Sequence, residues 1–269
     1  MTPGSFVVAL AVVMGVGLVC IGMARAAEIR PGGDLELTIS GFAGFLAHGG
    51  ALDNQREDPE ISNGLDFSND TEVHVLARAE DEEAGLEYGA TIEFAADTND
   101  EENTDETWVF VRGGWGEVRV GDEDGPVDES VLDGSVVAGG TGGIDGDVVD
   151  ELAVDAVSPS NTDVATKIRY YTPYFGNWQF GVSYTPNADN FGDALATTDL
   201  DIGDWVEGAV VYEDEFDTWS IAASLVGSWG RVENRDSETF GGDGESRVWT
   251  YFAGATVDLF DDVSIAGGF

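Results

Sequence analysis

Residues 177–185 read Asn177-Trp178-Gln179-Phe180-Gly181-Val182-Ser183-Tyr184-Thr185. Large apolar or aromatic side chains alternate here with small or polar ones at every position. Successive side chains of a β-strand point to opposite faces, so this spacing gives the segment one apolar face and one polar face. The stretch therefore predicts a β-strand that contacts an apolar medium on one side only.

The same alternation recurs in eleven stretches, separated by breaks that are by turns long and short. The stretches span residues 34–47, 71–79, 85–95, 106–112, 115–121, 164–172, 177–185, 204–213, 218–229, 247–259 and 263–269. A tilted strand needs about 9 to 11 residues to cross a bilayer, and outer-membrane barrels have tight turns on the periplasmic side and long loops outside. The chain is therefore predicted to be all-β, a transmembrane antiparallel up-and-down β-barrel.

Bulky side chains concentrate near the ends of these stretches, whereas small and aliphatic residues occupy their middles. The bulky set is Trp178, Tyr184, Tyr212, Trp219, Trp229, Trp249 and Leu259. This is typical of two aromatic girdles at the membrane interfaces. The alternative is a soluble antiparallel sandwich or solenoid, but nothing in a sandwich requires connections of alternating length.

The first 27 residues differ from the rest of the chain. They hold an apolar run from Phe6 to Val19, followed by Ala24-Arg25-Ala26, which has the small-residue pattern of a signal-peptidase site. No lysine or arginine precedes the run, so an uncleaved membrane anchor is the alternative. We predict a signal peptide over residues 1–27 and a barrel domain over residues 28–269, with helix only near the start.

Composition excludes several classes of function. The net charge is −42, which excludes nucleic acid as a partner. The single cysteine, Cys20, lies in the predicted leader, and the two histidines, His48 and His74, offer little for a zinc centre or a histidine-based triad. The chain is therefore predicted not to be an enzyme, and an all-carboxylate hydrolase is the alternative.

Two segments carry a family resemblance. Residues 106–121, Glu-Thr-Trp-Val-Phe-Val-Arg-Gly-Gly-Trp-Gly-Glu-Val-Arg-Val-Gly, resemble a strand hairpin of the general bacterial porins. Thr166-Lys167-Ile168-Arg169-Tyr170-Tyr171-Thr172-Pro173 with Phe180-Gly181-Val182-Ser183-Tyr184-Thr185-Pro186 resembles a second hairpin of that family, closest to alphaproteobacterial trimeric porins. The resemblance covers the whole chain after the leader, with the loops least alike.

This resemblance implies a homotrimer of water-filled channels in the Gram-negative outer membrane, through which ions and small hydrophilic solutes diffuse passively. It also implies a third extracellular loop that folds inward and narrows the channel. General porins have about 16 strands, and closed bacterial barrels have an even number. Eleven stretches therefore lead us to expect a chain truncated at its C-terminal end.

The third long connection, residues 122–163, carries many carboxylates and no lysine or arginine. Its acids are Asp122, Glu123, Asp124, Asp128, Glu129, Asp133, Asp145, Asp147, Asp150, Glu151, Asp155 and Asp163. The flanking strands are predicted to point a basic set into the lumen, consisting of His74, Arg78, Arg112, Arg119, Lys167 and Arg169. Acids on one side and guanidinium groups on the other would set up a transverse field at a constriction. The alternative is that these are solvated charges, or ion pairs that only stabilise the fold.

No cofactor is expected. The acids Asp122, Asp124, Asp145 and Asp147 have the oxygen density that Ca²⁺ prefers, but neither cluster fits a twelve-residue calcium loop. A structural Ca²⁺ ion there is kept as an alternative. The glycine run at 139–143 lacks the Lys-Ser/Thr and helix of a phosphate loop.

The acidic excess has two explanations, cation selectivity or solvation in a saline habitat. We predict a cation-preferring outer-membrane channel that is exported through a cleaved signal peptide and contacts outer-membrane lipid. Two alternatives stay open at this point. One is a secreted β-rich adhesin or carbohydrate-binding protein, and the other is a substrate-specific or purely structural outer-membrane barrel.

Overall fold

A computed structural model describes residues 8–13, 17–23, 28–29, 35–48, 66–96, 104–133, 161–162, 164–188, 202–234, 244–260 and 263–269. These residues form one 14-stranded sheet in which neighbours in sequence are neighbours in space, except that β3 lies off the main path and pairs with β4. Every pairing along the sheet is antiparallel. The all-β, up-and-down architecture predicted from the alternation is thus confirmed.

The strands are β1 (Val8–Val13), β2 (Gly17–Met23), β3 (Glu28–Ile29), β4 (Leu35–His48), β5 (Asp66–Asp81), β6 (Leu86–Ala95), β7 (Thr107–Gly113), β8 (Gly116–Glu123), β9 (Ala165–Tyr171), β10 (Trp178–Asn187), β11 (Ile202–Phe216), β12 (Trp219–Asn234), β13 (Gly244–Leu259) and β14 (Val263–Gly268). One helix, α1 (Pro126–Ser130), lies between β8 and β9. Within the described residues the sheet is open between β1 and β14.

The eleven predicted strands correspond one to one to β4–β14. The largest differences are at ends next to long connections, where β5 begins at Asp66 rather than at Thr71 and β12 ends at Asn234 rather than at Trp229. Backbone pairing continues there beyond the alternating segment, because polar residues can extend a strand ladder outside the apolar layer. The alternation of apolar and polar residues therefore indicates the membrane-crossing part of a strand and not the full length of its backbone pairing.

The start of the chain contains strands in place of the expected helix. Strand β1 pairs with β2, and β2 pairs with β4. Both strands lie in the segment predicted as a signal peptide, whose cleavage stays a prediction. The described helix is α1, in the third long connection, and no described helix is long and apolar enough to cross a bilayer.

Short connections turn the chain at one end of the sheet. Gly85 has φ 64° in the turn between β5 and β6, and Gly176 has φ 63° in the turn between β9 and β10. Only glycine adopts this left-handed conformation without steric cost, so it suits turns this tight.

The apolar face of the sheet is exposed. Val109 is 55% exposed, Leu225 53% and Ile168 50%, which is typical of side chains that contact lipid. Aromatic residues of this face lie in two bands. Through the strand register, Tyr184 is level with Trp229 and Trp249 in one band. Toward the other end, Trp178 faces Tyr212 and Trp219 faces Leu259, and the first of these pairs lies four positions closer to the middle of the sheet than the second.

On β12 the two bands are separated by the thickness of an apolar membrane layer. Trp219 and Trp229 lie ten positions apart on β12. At a rise of about 3.3 Å per residue and a tilt of about 40°, ten residues cover about 25 Å along the membrane normal, which is the height of the apolar band on outer-membrane barrels. On this strand the predicted girdles have the expected spacing.

The opposite face is not purely polar, which the alternation did not predict. Phe110, Tyr171 and Trp205 lie on it, and each ring covers a glycine of a neighbouring strand. A Cβ at Gly230, for example, would collide with the ring of Trp205. Glycine is therefore needed where a large ring lies flat against the adjacent backbone.

Helix α1 packs against this same face. Val127 is fully buried and forms an apolar cluster with Ala209 of β11, Val226 of β12 and Phe252 of β13. Burial of a valine side chain stabilises by about 1.5–3 kcal/mol. Pro126 begins the helix and Asp128 and Glu129 lie in its first turn, both of which favour a helix start.

Candidate functional site

Two arginines face each other directly across β8 and β9. Arg119 is the register partner of Arg169, and both point to the face that carries α1. Like charges placed opposite each other destabilise a strand pair. The pair therefore needs carboxylates close by.

Glu123 and Glu129 supply these carboxylates. Glu123 Oε2 lies 3.0 Å from Arg169 Nη2 and 3.7 Å from Arg119 Nη1. Glu129, on α1, places Oε1 2.6 Å from Arg169 Nη1 and 3.7 Å from Arg119 Nη1. Each acid thus bridges both guanidinium groups, and the second acid fixes the helix to the strand pair.

The ion pairs continue sideways across the sheet. Glu117 pairs with Arg119 at 2.5 Å and with Arg112 at 3.5 Å. Arg112 pairs with Glu87 at 2.6 Å, and Glu87 in turn lies 3.8 Å from Arg78. Arg78 pairs with Glu36 of β4 at 2.9 Å. We call this row of alternating charges from Glu36 to Arg169 the charge ladder.

A buried glutamate on β11 fixes the other side of the helix. Glu207 is fully buried and accepts hydrogen bonds from the backbone N–H of Val127 at 3.3 Å and of Thr162 at 2.9 Å. The Thr162 hydroxyl also donates to Glu207 at 2.9 Å and lies 3.2 Å from the Thr185 hydroxyl. Both ends of the third long connection are therefore bonded to one carboxylate on the wall.

An open space lies beside α1. A cavity of about 490 Å³ is bounded by the helix residues Glu129 and Ser130, by Arg112 and Arg119 of the charge ladder, and by Ala222 of β12. Charged and polar side chains contribute much of this lining, so the space suits water and ions more than an apolar ligand. The helix narrows the polar side of the sheet without closing it.

Comparison with known protein families identifies the architecture. The family described as Gram-negative porin matches residues 9–269, which is nearly the whole chain. The chain is a Gram-negative porin. No curated protein matches it.

Family membership explains the geometry in general terms. A porin is an outer-membrane β-barrel that conducts solutes, so the exposed apolar face contacts lipid and the face that carries α1 is the channel wall. The expected porin resemblance, outer-membrane location and channel class are thus confirmed at the level of the family. Cleavage of the leader, trimer formation and ion preference stay predictions.

The predicted basic wall of the porin is found on one face, but not all of it is in one cluster. Arg78, Arg112, Arg119 and Arg169 belong to the charge ladder. Lys167 lies on the same strand as Arg169, is only 2% exposed, and interacts electrostatically with Glu207 and Asp124. His74 contacts Glu72 and Glu93 instead of any ladder residue.

The predicted loop acids have different surroundings. Asp122 and Glu123 belong to the end of β8 and not to the loop, and the Thr166 hydroxyl donates to Asp122. Asp128 accepts a hydrogen bond from Asn161 at 2.8 Å, and the Asp124 carbonyl accepts one from Arg169 at 2.9 Å. Asp133 follows α1. Outside the described residues lie Asp145, Asp147, Asp150 and Glu151, and the calcium alternative depends on two of these acids.

The transverse field that the sequence suggested stays a prediction, because most of residues 122–163 lies outside the described part of the chain. That hypothesis put acids and arginines on opposite sides of the lumen, but Glu123 and Glu129 contact Arg119 and Arg169 directly. Three further ladder acids, Glu36, Glu87 and Glu117, come from the strands themselves. Five carboxylates and four guanidinium groups thus form one row among the described residues, in which Glu123 and Glu129 both lie between Arg119 and Arg169.

Sequence reasoning missed Glu207, Glu36, Glu87 and Glu117. A signal for the ladder acids was available, because each lies on the polar face of its strand opposite an arginine of a neighbouring strand. No such signal marks Glu207. One more acid, Glu106, lies before β7 and accepts a hydrogen bond from the Asp124 N–H at 2.8 Å.

Proposed function

We propose that this porin forms a water-filled, cation-preferring channel for passive diffusion of ions and small hydrophilic solutes, with the segment around α1 as its constriction. The chain acts as a channel and not as an enzyme. It works as a homotrimer in the outer membrane after removal of residues 1–27. Family membership supports the channel. The small-residue site Ala24-Arg25-Ala26 supports removal of the leader, and the resemblance to trimeric porins supports the homotrimer.

The observation that carries the constriction is the attachment of α1 on two sides. Glu129 bonds to Arg169 on β9, and the Val127 N–H bonds to Glu207 on β11. A connection that was attached to the sheet only where it joins β8 and β9 would not have to cover the polar face. Here a helix is fixed across three neighbouring strands, so it narrows the path of any solute that moves along that face.

Cation preference is supported by the charge of the wall. Every arginine of the charge ladder has a carboxylate within 4 Å, so these arginines leave little positive potential for an anion. The chain as a whole has a net charge of −42. An acidic channel concentrates cations near its entrance and repels anions.

Salt should weaken this preference. The Debye length falls from about 10 Å at 0.1 M to about 3 Å at 1 M, so charges at the rim lose their reach in concentrated salt. Reversal potentials across planar bilayers with a KCl gradient measure the effect. The expected result is cation selectivity at low salt that declines as both solutions become more concentrated.

A pair of variants links the preference to the constriction. Glu129→Gln removes a negative charge between two arginines and should lower the ratio of cation to anion permeability. Glu82→Gln removes the same charge from an exposed turn and should leave the ratio unchanged. Anion preference of the wild type at low salt, or equal effects of both variants, would overturn the proposal, and absence of a steady ion current would indicate a structural barrel.

A further inference from the structure

A histidine and two glutamates meet on the channel wall outside the charge ladder. His74 Nε2 lies 2.7 Å from Glu72 Oε2 and 3.6 Å from Glu93 Oε2. One ligand atom from each of the three residues lies within 4.8 Å of the others. Among the ion pairs of the described residues, Glu72 and Glu93 contact His74 and no arginine or lysine.

The backbone holds these three side chains together. His74 of β5 is the direct register partner of Glu93 of β6, and Glu72 lies two positions before His74 on the same face. Phe42 of β4 meets the imidazole edge to face, with ring centroids 6.2 Å apart. The cluster is therefore placed by strand register and ring packing, and does not depend on a loop.

We propose that Glu72, His74 and Glu93 form a binding site for a divalent transition-metal ion, with Zn²⁺ as the representative ion. Zinc binds imidazole nitrogen and carboxylate oxygen at about 2.0–2.2 Å, so two ligand atoms in a tetrahedral site lie about 3.4 Å apart. The 3.6 Å between His74 Nε2 and Glu93 Oε2 already fits, and the 2.7 Å to Glu72 Oε2 must lengthen by less than an ångström. The two carboxylates lie within 4.8 Å of each other, so they must approach by up to about 1.4 Å, which glutamate side chains allow. Three protein ligands leave one position for water.

Charge and access agree with this assignment. Two carboxylates and a neutral imidazole have a charge of −2, which one divalent cation balances. The side chains of His74, Glu72 and Glu93 are 28%, 20% and 19% exposed, so an ion can reach them from the polar face. A single histidine suffices here because two carboxylates complete the ligand set, which a count of histidines in the sequence does not reveal.

The alternative is a purely structural contact in which a protonated His74 bridges two carboxylates. In that case the ring nitrogen carries a proton and cannot donate its lone pair to a metal. The two cases differ in whether the site takes up metal. Binding measured in detergent also does not depend on conduction, so failure of this proposal is distinguishable from failure of the proposed cation preference.

The test is a titration of the untagged full-length protein in detergent, after removal of metals with a chelator and desalting. Zn²⁺ competition against a chromophoric chelator gives affinity and stoichiometry, and the visible absorption of Co²⁺ reports coordination geometry. We expect one saturable site per chain. Because loss of even an outer-shell partner of a metal ligand weakens binding about 10- to 100-fold, His74→Gln should lower the affinity by at least that factor.

Two further variants make the result decisive. Glu93→Gln should weaken binding as His74→Gln does, while His48→Gln, which alters the only other histidine, should leave it unchanged. Heat-dependent gel mobility checks that each variant is folded. Absence of saturable binding in the wild type, or equal affinity in His74→Gln and wild type, would overturn the proposal.

Discussion

Arg169 of β9 places its Nη1 2.6 Å from Glu129 Oε1 of helix α1, although only 1% of the arginine side chain is exposed. Its Nη2 lies 3.0 Å from Glu123, which is fully buried. A guanidinium group is thus enclosed between the wall and the helix, and it compensates two acids at once. Among the ion pairs of the described residues, removal of this one side chain would leave Glu123 with the more distant Arg119, at 3.7 Å.

The variant Arg169→Met tests this dependence. Methionine keeps much of the side-chain volume but removes the charge, and loss of one partner from a buried ion pair costs about 3–5 kcal/mol. We expect a loss of unfolding free energy of that size, measured by urea unfolding in detergent micelles, and a noisier single-channel current as α1 loosens. Arg112→Met is the control, since that side chain is 44% exposed and exposed pairs contribute less than about 1 kcal/mol. Equal losses in both variants would contradict the buried role of Arg169.

The variant Glu207→Leu removes the attachment of α1 to β11. The N–H groups of Val127 and Thr162 then lose their acceptor, and each unsatisfied buried group costs about 1–3 kcal/mol. Release of the helix satisfies these groups with water, so we expect a larger single-channel conductance. The control is Glu213→Leu on the same strand, where the glutamate is exposed and bonds to Tyr174. An unchanged conductance in Glu207→Leu would exclude this attachment as the determinant of channel width.

The strands could be predicted from the sequence, whereas the role of Glu207 could not. Alternation in 177–185 and its ten counterparts gave the strands, because lipid on one side and water on the other impose a period of two. It also gave the parity of Arg119 and Arg169. It did not predict the burial of Glu207, because a glutamate on the polar face has the same sequence pattern whether it is solvated or buried under a helix.

Helix α1 itself also lay beyond the sequence. Its five residues are too few to show helical periodicity, and an isolated helix of this length is not stable in water. It forms because Val127 packs on Ala209, Val226 and Phe252, which come from three strands far along the chain. The positions of the Phe110 and Trp205 rings on the polar face could not be predicted either, since they depend on glycines in the neighbouring strands. Tertiary packing, not local pattern, decides such features.

Gly254 of β13 tests how closely the segment after α1 approaches the wall. A Cβ at this position would collide with the backbone carbonyl of Leu132, which cannot move without the whole segment. We therefore expect Gly254→Ala to displace that segment and to raise the single-channel conductance. In Gly267→Ala, the matched control on β14, a Cβ meets nothing within 4 Å. That variant should keep the conductance and gain up to about 1 kcal/mol from its better strand propensity. The same conductance in both variants would contradict the close approach.

Leu225 tests which face of the sheet contacts lipid. This residue lies in the middle of β12 on the apolar face and is 53% exposed. An arginine on the lipid face near the bilayer midplane costs about 2–4 kcal/mol, because its charge must leave water. Leu225→Arg should lower the free energy of unfolding in lipid vesicles by that amount and reduce the folded fraction. Ala222→Arg, three positions away, points into the cavity beside α1 among charged side chains, so it should fold normally and shift ion selectivity toward anions. If instead Ala222→Arg failed to insert and Leu225→Arg was tolerated, the two faces would be assigned the wrong way round.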